Sequence, residues 1–327
     1  MSNIKHPAIL TDLGHVGKNG LPLNSDPWFL EQLEICREWG IKLNISNGRV
    51  SLQFDHEQLV PYWIQKETAA IAWNWLRING FFRIDSTNRE AVELSRLGTP
   101  SGTLVYSEEQ TAGKGRKGRE WFSPRGSGLY FSLVLRPKQP RDIWPILTHV
   151  ASIALVDTLK ELSDRKSIPV PLDVDIKWPN DVLLSGKKCA GILLEMVPDE
   201  NEDHAAVVGI GIDVHEGSVP ESLKSEAVSI DEMARTQVPR RQLLVRFLHN
   251  FQTSYVTFER GNHRELLEKW KSCSSMWDGA PIWIMEGETR RSAVTCGINE
   301  IGALLVRTPE GSIETLMAAD ISVRRDL

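Results

Sequence analysis

Cysteine is scarce in this sequence: the four present, Cys36, Cys189, Cys273 and Cys296, stand far apart with no CxxC pair. That spacing excludes a disulfide framework and a zinc knuckle and reads as reduced thiols. Long apolar runs are missing as well. No stretch approaches the roughly 20 residues of a membrane span. Residues 1–10 carry no apolar run behind Lys5, so neither membrane insertion nor a secretory signal is expected, and the expected compartment is the cytoplasm. Nor is there an excess of positive charge, since 38 Lys and Arg stand against 43 Asp and Glu for a net charge of −5. The chain as a whole has no attraction for nucleic acid, and any phosphate chemistry must come from a local cluster of cations. Length is what the chain does have. Its 327 residues, 41% of them hydrophobic, suffice for two or three domains with real cores.

Three regions differ in pattern. Residues 1–56 are rich in turn formers up to a predicted helix over 26–39, in which Leu30, Leu33 and Trp39 share a buried side. Alternating Ile41, Leu43, Ile45, a turn at Asn47-Gly48 and alternating Val50, Leu52, Phe54 then predict a β-hairpin. Helix followed by hairpin suggests a winged-helix-like module, the plainer alternative being a structural cap on the next domain. Residues 57–271 alternate strands with helices. Leu129, Phe131, Leu133 and Leu135 form the apolar face of a strand whose other face is more polar, and Leu244, Phe247, Leu248, Phe251, Tyr255 and Phe258 recur at helical spacing. Residues 190–196 and 207–214 are short apolar runs suited to strands covered on both faces. The reading is an α+β domain with a central mixed sheet flanked by helices. Residues 272–327 break into short strands with turns at Gly287, Gly302 and Gly311, the form of a small all-β barrel.

Four motifs could carry chemistry. The strongest is the loop over residues 110–124, where Gly113, Gly115 and Gly118 let the backbone approach a ligand and Lys114, Arg116, Lys117 and Arg119 supply cations. Planar guanidinium groups grip carboxylate or phosphate oxygens in pairs, and Trp121 or Phe122 offers a ring to a purine. No Gly-Lys-Ser/Thr follows, so this is not a P-loop. The second is Lys177-Trp178-Pro179-Asn180-Asp181, which places one cation at a strand end; Asn180 and Asp181 read equally as turn formers or ligands. The third is Ser86-Thr87-Asn88, with Thr87 and Glu90 in the pattern of a helix capping box. The fourth is Gly209-Ile210-Gly211-Ile212-Asp213, two glycines in a buried strand where a flat ligand or another backbone comes close.

In this order and spacing the four motifs resemble those of the biotin protein ligases, clearly over residues 85–327 and loosely before. Ser123-Pro124, Leu129-Tyr130, Lys188 with Gly191-Ile192-Leu193, and Ile321 to Arg324 add to the likeness. The resemblance implies a biotin/lipoate ligase-like catalytic domain followed by an SH3-like barrel. It also implies a two-step reaction: biotin and ATP give biotinyl-5′-adenylate, and biotin passes to a lysine of a biotin carboxyl carrier domain of acetyl-CoA carboxylase. By that resemblance Ser86, Thr87, Asn88 and Gln110 hold the ureido ring, and Lys114, Gly115 and Arg116 close over the biotin carboxylate and α-phosphate. Lys177 serves biotin and stabilises charge at phosphorus, so that Lys177, Arg116 and Arg119 are the catalytic candidates. Arg116, Arg119, Trp121, Asn180, Ile212 and Asp213 form the nucleotide side. Mg2+ accompanies ATP with no certain protein ligand, and Arg324 is a candidate link between barrel and site.

Two departures stand out. Lys114 replaces an arginine common in bacterial members, and Asp213 replaces the usual Asn; an ionised Asp213 near phosphates predicts weakened nucleotide binding, relieved by Asp213→Asn. Bifunctional members repress genes through the front module, with residues 25–39 in the recognition-helix position and the hairpin as wing. Here residues 26–31 carry no Arg, Lys, Asn or Gln for base edges, and residues 1–66 hold six Lys/Arg against seven Asp/Glu. Residues 8–24 offer one short helix where a full motif needs two. A degenerate, structural winged-helix relic without DNA binding is therefore expected, and the resemblance allows a homodimer. Competing readings are lipoate or octanoate transfer on the same architecture, and single-strand nucleic-acid binding by the basic loop with Trp121 and Phe122.

Overall fold

The computed structural model describes residues 3–69, 77–164, 167–198, 204–286, 289–317 and 322–325, with residues 286 and 322–325 described by backbone alone. The front region runs β1 (Ile4–Lys5), α1 (Ile9–Val16), β2 (Leu21–Pro22), α2 (Pro27–Glu38), β3 (Leu43–Ser46), β4 (Arg49–Leu52) and α3 (Pro61–Thr68). Asp26 caps α2, its carboxylate accepting the Phe29 N–H at 3.1 Å, and Pro27 supplies a preset φ in the first turn. Asn47 and Gly48 both have positive φ, as a two-residue hairpin turn between right-twisted strands requires. Phe29, Leu33 and Cys36 of α2 pack on Ile9, Leu10 and Leu13 of α1 and on Val50. Leu30 is not on that buried side: it stands 48% exposed on the outer face of α2. As expected, one short helix precedes α2.

The module is fastened to the rest of the chain in three ways. β1 pairs antiparallel with β5 (Arg77–Arg83), making the chain's first strand an edge of the central sheet. Val60, Trp63 and Phe82 complete the module's own core, so a boundary at residue 56 passes through one packed cluster. Finally, two neighbouring arginines at the start of α7 (Arg240–Glu259) hold the connecting segment. Arg240 pairs with Glu57 and, at 2.6 Å, with Glu108. Arg241, fully buried, donates to the Asp55 and Gln58 carbonyls and lies over the rings of Phe54 and Trp63.

The central region continues with α4 (Thr87–Arg96), β6 (Thr103–Ser107), β7 (Gly128–Leu135), α5 (Ile146–Asp164), β8 (Val174–Lys177), β9 (Asp181–Leu184), β10 (Lys187–Val197), β11 (Ala205–Asp213), α6 (Ile230–Ala234), α7 and α8 (His263–Ser272). The sheet order is β1-β5-β6-β7-β11-β10-β9-β8, with β5 and β6 parallel and the other neighbours antiparallel. The period-two alternation of strands divides its residues between two faces. Leu129, Phe131, Leu133, Val208, Ile210, Ile212, Ala190 and Ile192 join the core under α5, α7 and α8. Val105, Val134 and Val207 meet Ala91 of α4 on the opposite face. That second face also carries Ser132, Gly191, Gly209, Gly211 and Asp213, and it is where the site forms.

β12 (Asp278–Glu286), β13 (Thr289–Ile298), β14 (Leu304–Arg307), β15 (Ile313–Leu316) and β16 (Ser322–Arg325) make an antiparallel sheet of order β15-β14-β13-β12-β16, in keeping with a small barrel. Its inward Ile282, Ile284, Leu304 and Val306 belong to the same buried cluster as α5, α7 and α8. Among the described residues no helix is long and apolar enough to cross a membrane.

Candidate active site

Strand register lines up the site's floor. Gly211 lies opposite Gly191 on one side and Tyr130 on the other, and Gly209 opposite Leu193 and Ser132. A Cβ on Gly209 would fall 1.8 Å from Asn88 Oδ1, and one on Gly211 would fall 2.4 Å from the Trp121 ring. Both glycines are thus required by close approach. What approaches is a side chain in each case: Asn88 fills one cradle and the Trp121 indole the other.

Above Gly209 the three residues at the start of α4 form a closed polar cluster. Ser132 Oγ lies 2.9 Å from Thr87 Oγ1 and donates to Asn88 Oδ1 at 2.6 Å, while Asn88 Nδ2 donates to Glu195 at 2.8 Å. Gln110 Oε1 accepts the Thr87 N–H at 2.8 Å, and Gln110 Nε2 donates to Ser123 Oγ at 2.9 Å. The expected capping box is absent: α4 has Ser86 at its N-cap and no side-chain cap, because Gln110 takes the Thr87 amide. Ser86 Oγ is buried with no hydrogen-bond partner. A buried hydroxyl left unpaired is costly, so the cluster is complete except for one polar contact that a ligand can make.

The cationic loop folds back on itself. The Gly115 N–H donates to the Arg119 carbonyl at 2.7 Å and the Trp121 N–H to the Gly113 carbonyl at 2.9 Å. Together with Leu193 and Glu195, residues 111–120 line an open cavity of about 590 Å³. Lys114 and Arg119 are exposed. Arg116 turns inward and donates to Asn180 Oδ1 at 2.9 Å, and Asn180 is itself fixed by a bond from Nδ2 to the Ile192 carbonyl at 2.8 Å. Burial lowers the Arg116 pKa, with Asp181 acting in the opposite sense. Lys177 sits at the end of β8, opposite Asp181 across the tight β8–β9 turn. The loop and the Lys177 turn, distant in sequence, are thereby tied together through Arg116 and Asn180.

Trp121 rests on the glycine floor with the Lys188 ammonium 5.0 Å from its ring centre, and its indole N–H is buried without a partner. Lys188 also pairs with Asp181 at 2.6 Å. Phe122, the other ring expected near a purine, is 43% exposed. Asp213 closes the row. It is buried, and burial pushes its carboxyl well above the ordinary carboxylate range, Lys188 offsetting part of the rise. Burial thus favours the neutral carboxyl, which repels phosphate less than a carboxylate and resembles an amide in shape and polarity. Ile212, expected on the nucleotide side, has its side chain fully buried in the helix-side core, so what it offers the site is its backbone. The Arg324 side chain lies outside the described residues.

Ser132 and Glu195 escaped the sequence reading. Each leaves a faint signal, the serine as a small polar residue within an apolar strand and Glu195 as the single charge in the run 190–197.

A three-layered α+β domain whose sheet floor carries paired glycines, a polar cluster with one open hydroxyl and a cationic loop defines an acyl-activating ligase domain. The comparisons agree on which kind. Residues 80–213 match the Biotin/lipoate A/B protein ligase family. The Bifunctional ligase/repressor BirA of Bacillus subtilis (strain 168) is 34% identical over 243 residues, covering 73% of this chain and 72% of that protein. The Biotin--[acetyl-CoA-carboxylase] ligase of Paracoccus denitrificans is 32% identical over 242 residues, 73% of this chain and 97% of its own. Biotin protein ligase from Aquifex aeolicus, solved in complex with biotin and ATP, superposes with a TM-score of 0.65 at 29% identity over 76% of this chain and 99% of that one. The chain belongs to the biotin protein ligases.

Proposed function

We propose that this enzyme makes biotinyl-5′-adenylate from biotin and ATP and transfers the biotinyl group to a lysine of a biotin carboxyl carrier domain of acetyl-CoA carboxylase. In the first step a biotin carboxylate oxygen attacks the α-phosphorus and the bond to pyrophosphate breaks. In the second the lysine amine attacks the acyl carbon, AMP leaves, and the amine's proton goes to solvent.

The observation that carries this reading is the unpartnered Ser86 hydroxyl inside an otherwise satisfied cluster, next to a cationic loop tied to the Lys177 turn. Ser86, Thr87, Asn88 and Gln110 receive the ureido ring, with Ser132 and Glu195 holding Asn88. Lys114, Gly115 and Arg116 close over the carboxylate and α-phosphate, Arg119 takes phosphate oxygens, and Lys177 stabilises charge developing on phosphorus. Holding two anions at reacting distance is the principal difficulty of the first step, and fixed cations that need no reorganisation meet it. Trp121 and Asp213 bound the adenine side. Mg2+ enters with the triphosphate as its counter-ion; among the described residues no three His, Cys, Asp or Glu are grouped to hold a metal.

For the front module we propose a structural role. The outer face of α2 presents Trp28, Leu30, Glu31, Glu34 and Glu38, and its one arginine, Arg37, pairs with Glu34 at 3.4 Å. Such a face offers DNA a single arginine, already paired with Glu34, against several repelling charges. Selective retardation of a biotin-operon fragment at near-physiological salt, in the presence of biotin and ATP, would overturn this role.

The deciding experiment for the enzyme is pyrophosphate release from ATP and Mg2+ with biotin, with lipoate in parallel and Arg116→Gly as control. Release with biotin alone, lost in the variant, is the expected result. Release with lipoate in preference to biotin would reassign the substrate.

A further inference from the structure

One carbonyl of the barrel is hydrogen-bonded both to the catalytic turn and to α5. The carbonyl oxygen of Gly302, in the β13–β14 turn, is 3.1 Å from the indole Nε1 of Trp178 and 3.0 Å from Nε2 of His149 on α5. Both N–H groups donate to it. Trp178 is the residue after Lys177 and two before Asn180, and it is 1% exposed. The turn that offers the carbonyl is itself preset: Asn299 Oδ1 accepts the N–H groups of Ile301 at 3.1 Å and Ala303 at 2.9 Å, and the Gly302 N–H returns to the Asn299 carbonyl. Gly302 has φ +79, and a Cβ there would lie 2.3 Å from His149 Nε2, so no other residue fits.

His149 is not part of the reaction machinery described above, yet it is a buried polar group whose far nitrogen, Nδ1, has no partner. Burial lowers its pKa to about 4 despite the bond to Gly302, so near neutral pH it is an uncharged ring. With one proton, placed on Nε2 by the Gly302 carbonyl, it acts as a fixed donor. The nearest strand is held from the other side as well: the Ile176 N–H donates to the Cys273 carbonyl at 2.9 Å, and Ser274 Oγ donates to the Ile176 carbonyl at 2.7 Å. The Lys177 turn is therefore gripped by the barrel's lead-in segment along β8 and by the barrel's Gly302 at Trp178.

We infer that His149 and Gly302 are positioning residues for adenylate formation, acting through Trp178 to fix where Lys177 and Asn180 stand over the α-phosphate. Neither touches substrate. The barrel then contributes to the first chemical step through this shared carbonyl, and its loss of grip is felt in turnover and not in biotin capture, because the hydrogen bonds of the cluster at α4 run to Gln110, Ser132 and Glu195 and not to His149, Trp178 or Gly302. The inference rests on the biotin ligase reading.

The test uses the full chain with His149→Leu, His149→Gln and Trp178→Phe, measuring biotin binding by calorimetry and pyrophosphate release by steady-state kinetics. His149→Leu is expected to hold the biotin Kd and KM within about twofold while kcat falls about 10- to 100-fold. The Gln amide, able to reach the same carbonyl, is expected to restore most of the rate, and Trp178→Phe, which keeps an aromatic ring but loses the N–H with the pyrrole part of the indole, to lower kcat as His149→Leu does. Wild-type kcat in His149→Leu and Trp178→Phe overturns the inference, as does a parallel loss of biotin binding and rate in His149→Leu and His149→Gln alike. If His149→Leu does not fold, Trp178→Phe and His149→Gln decide the matter by the same split. A wild-type chain that neither binds biotin nor releases pyrophosphate sinks the ligase assignment, a result distinct from normal turnover in the variants.

Discussion

Trp39, at the end of α2, stacks on Phe82 of the central sheet with ring centroids 5.2 Å apart and planes 5° from parallel. Arg125 lies 4.2 Å and Arg83 5.3 Å from the same indole, and Arg125 donates to the Glu38 carbonyl. The helix that would read DNA in a repressor is here bolted by its last turn to the segment following the cationic loop. Trp39→Ala removes the stack and both cation contacts, and is expected to cost about 3 kcal/mol of stability. Urea unfolding checks it; a change under 1 kcal/mol would mean that the contact is decorative.

Gly209→Ala and Gly211→Ala should separate the two substrates. The first drives Asn88 off its seat and is expected to weaken biotin at least about 10-fold, whereas the second displaces the Trp121 ring and is expected to weaken nucleotide more than biotin. Calorimetry with each ligand alone reads the difference, and equal losses in both variants would contradict the division of the floor.

Ser132→Ala leaves Thr87 Oγ1 and Asn88 Oδ1 without their shared hydroxyl. A loss of about 1–2 kcal/mol in biotin binding is expected, near 5- to 30-fold in Kd. Unchanged affinity would remove Ser132 from the site.

Asp213→Asn is expected to change nucleotide affinity by less than about threefold near neutral pH, because burial favours the neutral carboxyl, which resembles the amide. Sequence alone pointed to tighter binding in the Asn variant. A tenfold gain would show that Asp213 is ionised after all, which makes the nucleotide Kd of this single substitution a direct reading of its charge.

His215 supplies a pH signature. Burial would lower its pKa, but hydrogen bonds and charge from Asp231 and Glu57 outweigh that and raise it to about 9. A raised folded-state pKa contributes stability fully below the ordinary value near 6.5 and loses it as pH climbs through 9. The melting temperature is therefore expected to fall between pH 7 and 9.5, and less so in His215→Gln. Identical slopes in the two proteins would count against the network.

Much of the site was legible because its chemistry is carried by short local motifs. Glycines spaced for close approach, clustered cations and a Lys-Trp-Pro-Asn-Asp turn each declare themselves within a few residues, and the alternation in β7 already separated an apolar face from the one that bears Ser132. What stayed hidden depends on partners far away in the chain. Thr87 and Glu90 read as a capping box until Gln110, 23 residues on, takes the amide that the cap would have used. Ile212 shares a motif with Asp213 but points to the other face, which period-two alternation settles only once the strand's register is known. β1 has two residues and no pattern, and its place in the central sheet follows from pairing with β5 alone. The Gly302 clasp joins residues 124 and 153 positions apart, a separation at which local patterns are silent.

The adjacency of Arg240 and Arg241 bears on how the molecule comes apart. One arginine secures Glu57 and Glu108 of the ligase region, and the next holds the carbonyls and rings of the connecting segment, all from the first turn of a single helix. Fraying that turn releases both sets at once, and forming it requires both to be in place. The front module and the ligase domain are accordingly expected to melt in one cooperative transition, so that a calorimetric trace that would resolve two peaks for domains joined by a loose tether should show a single one.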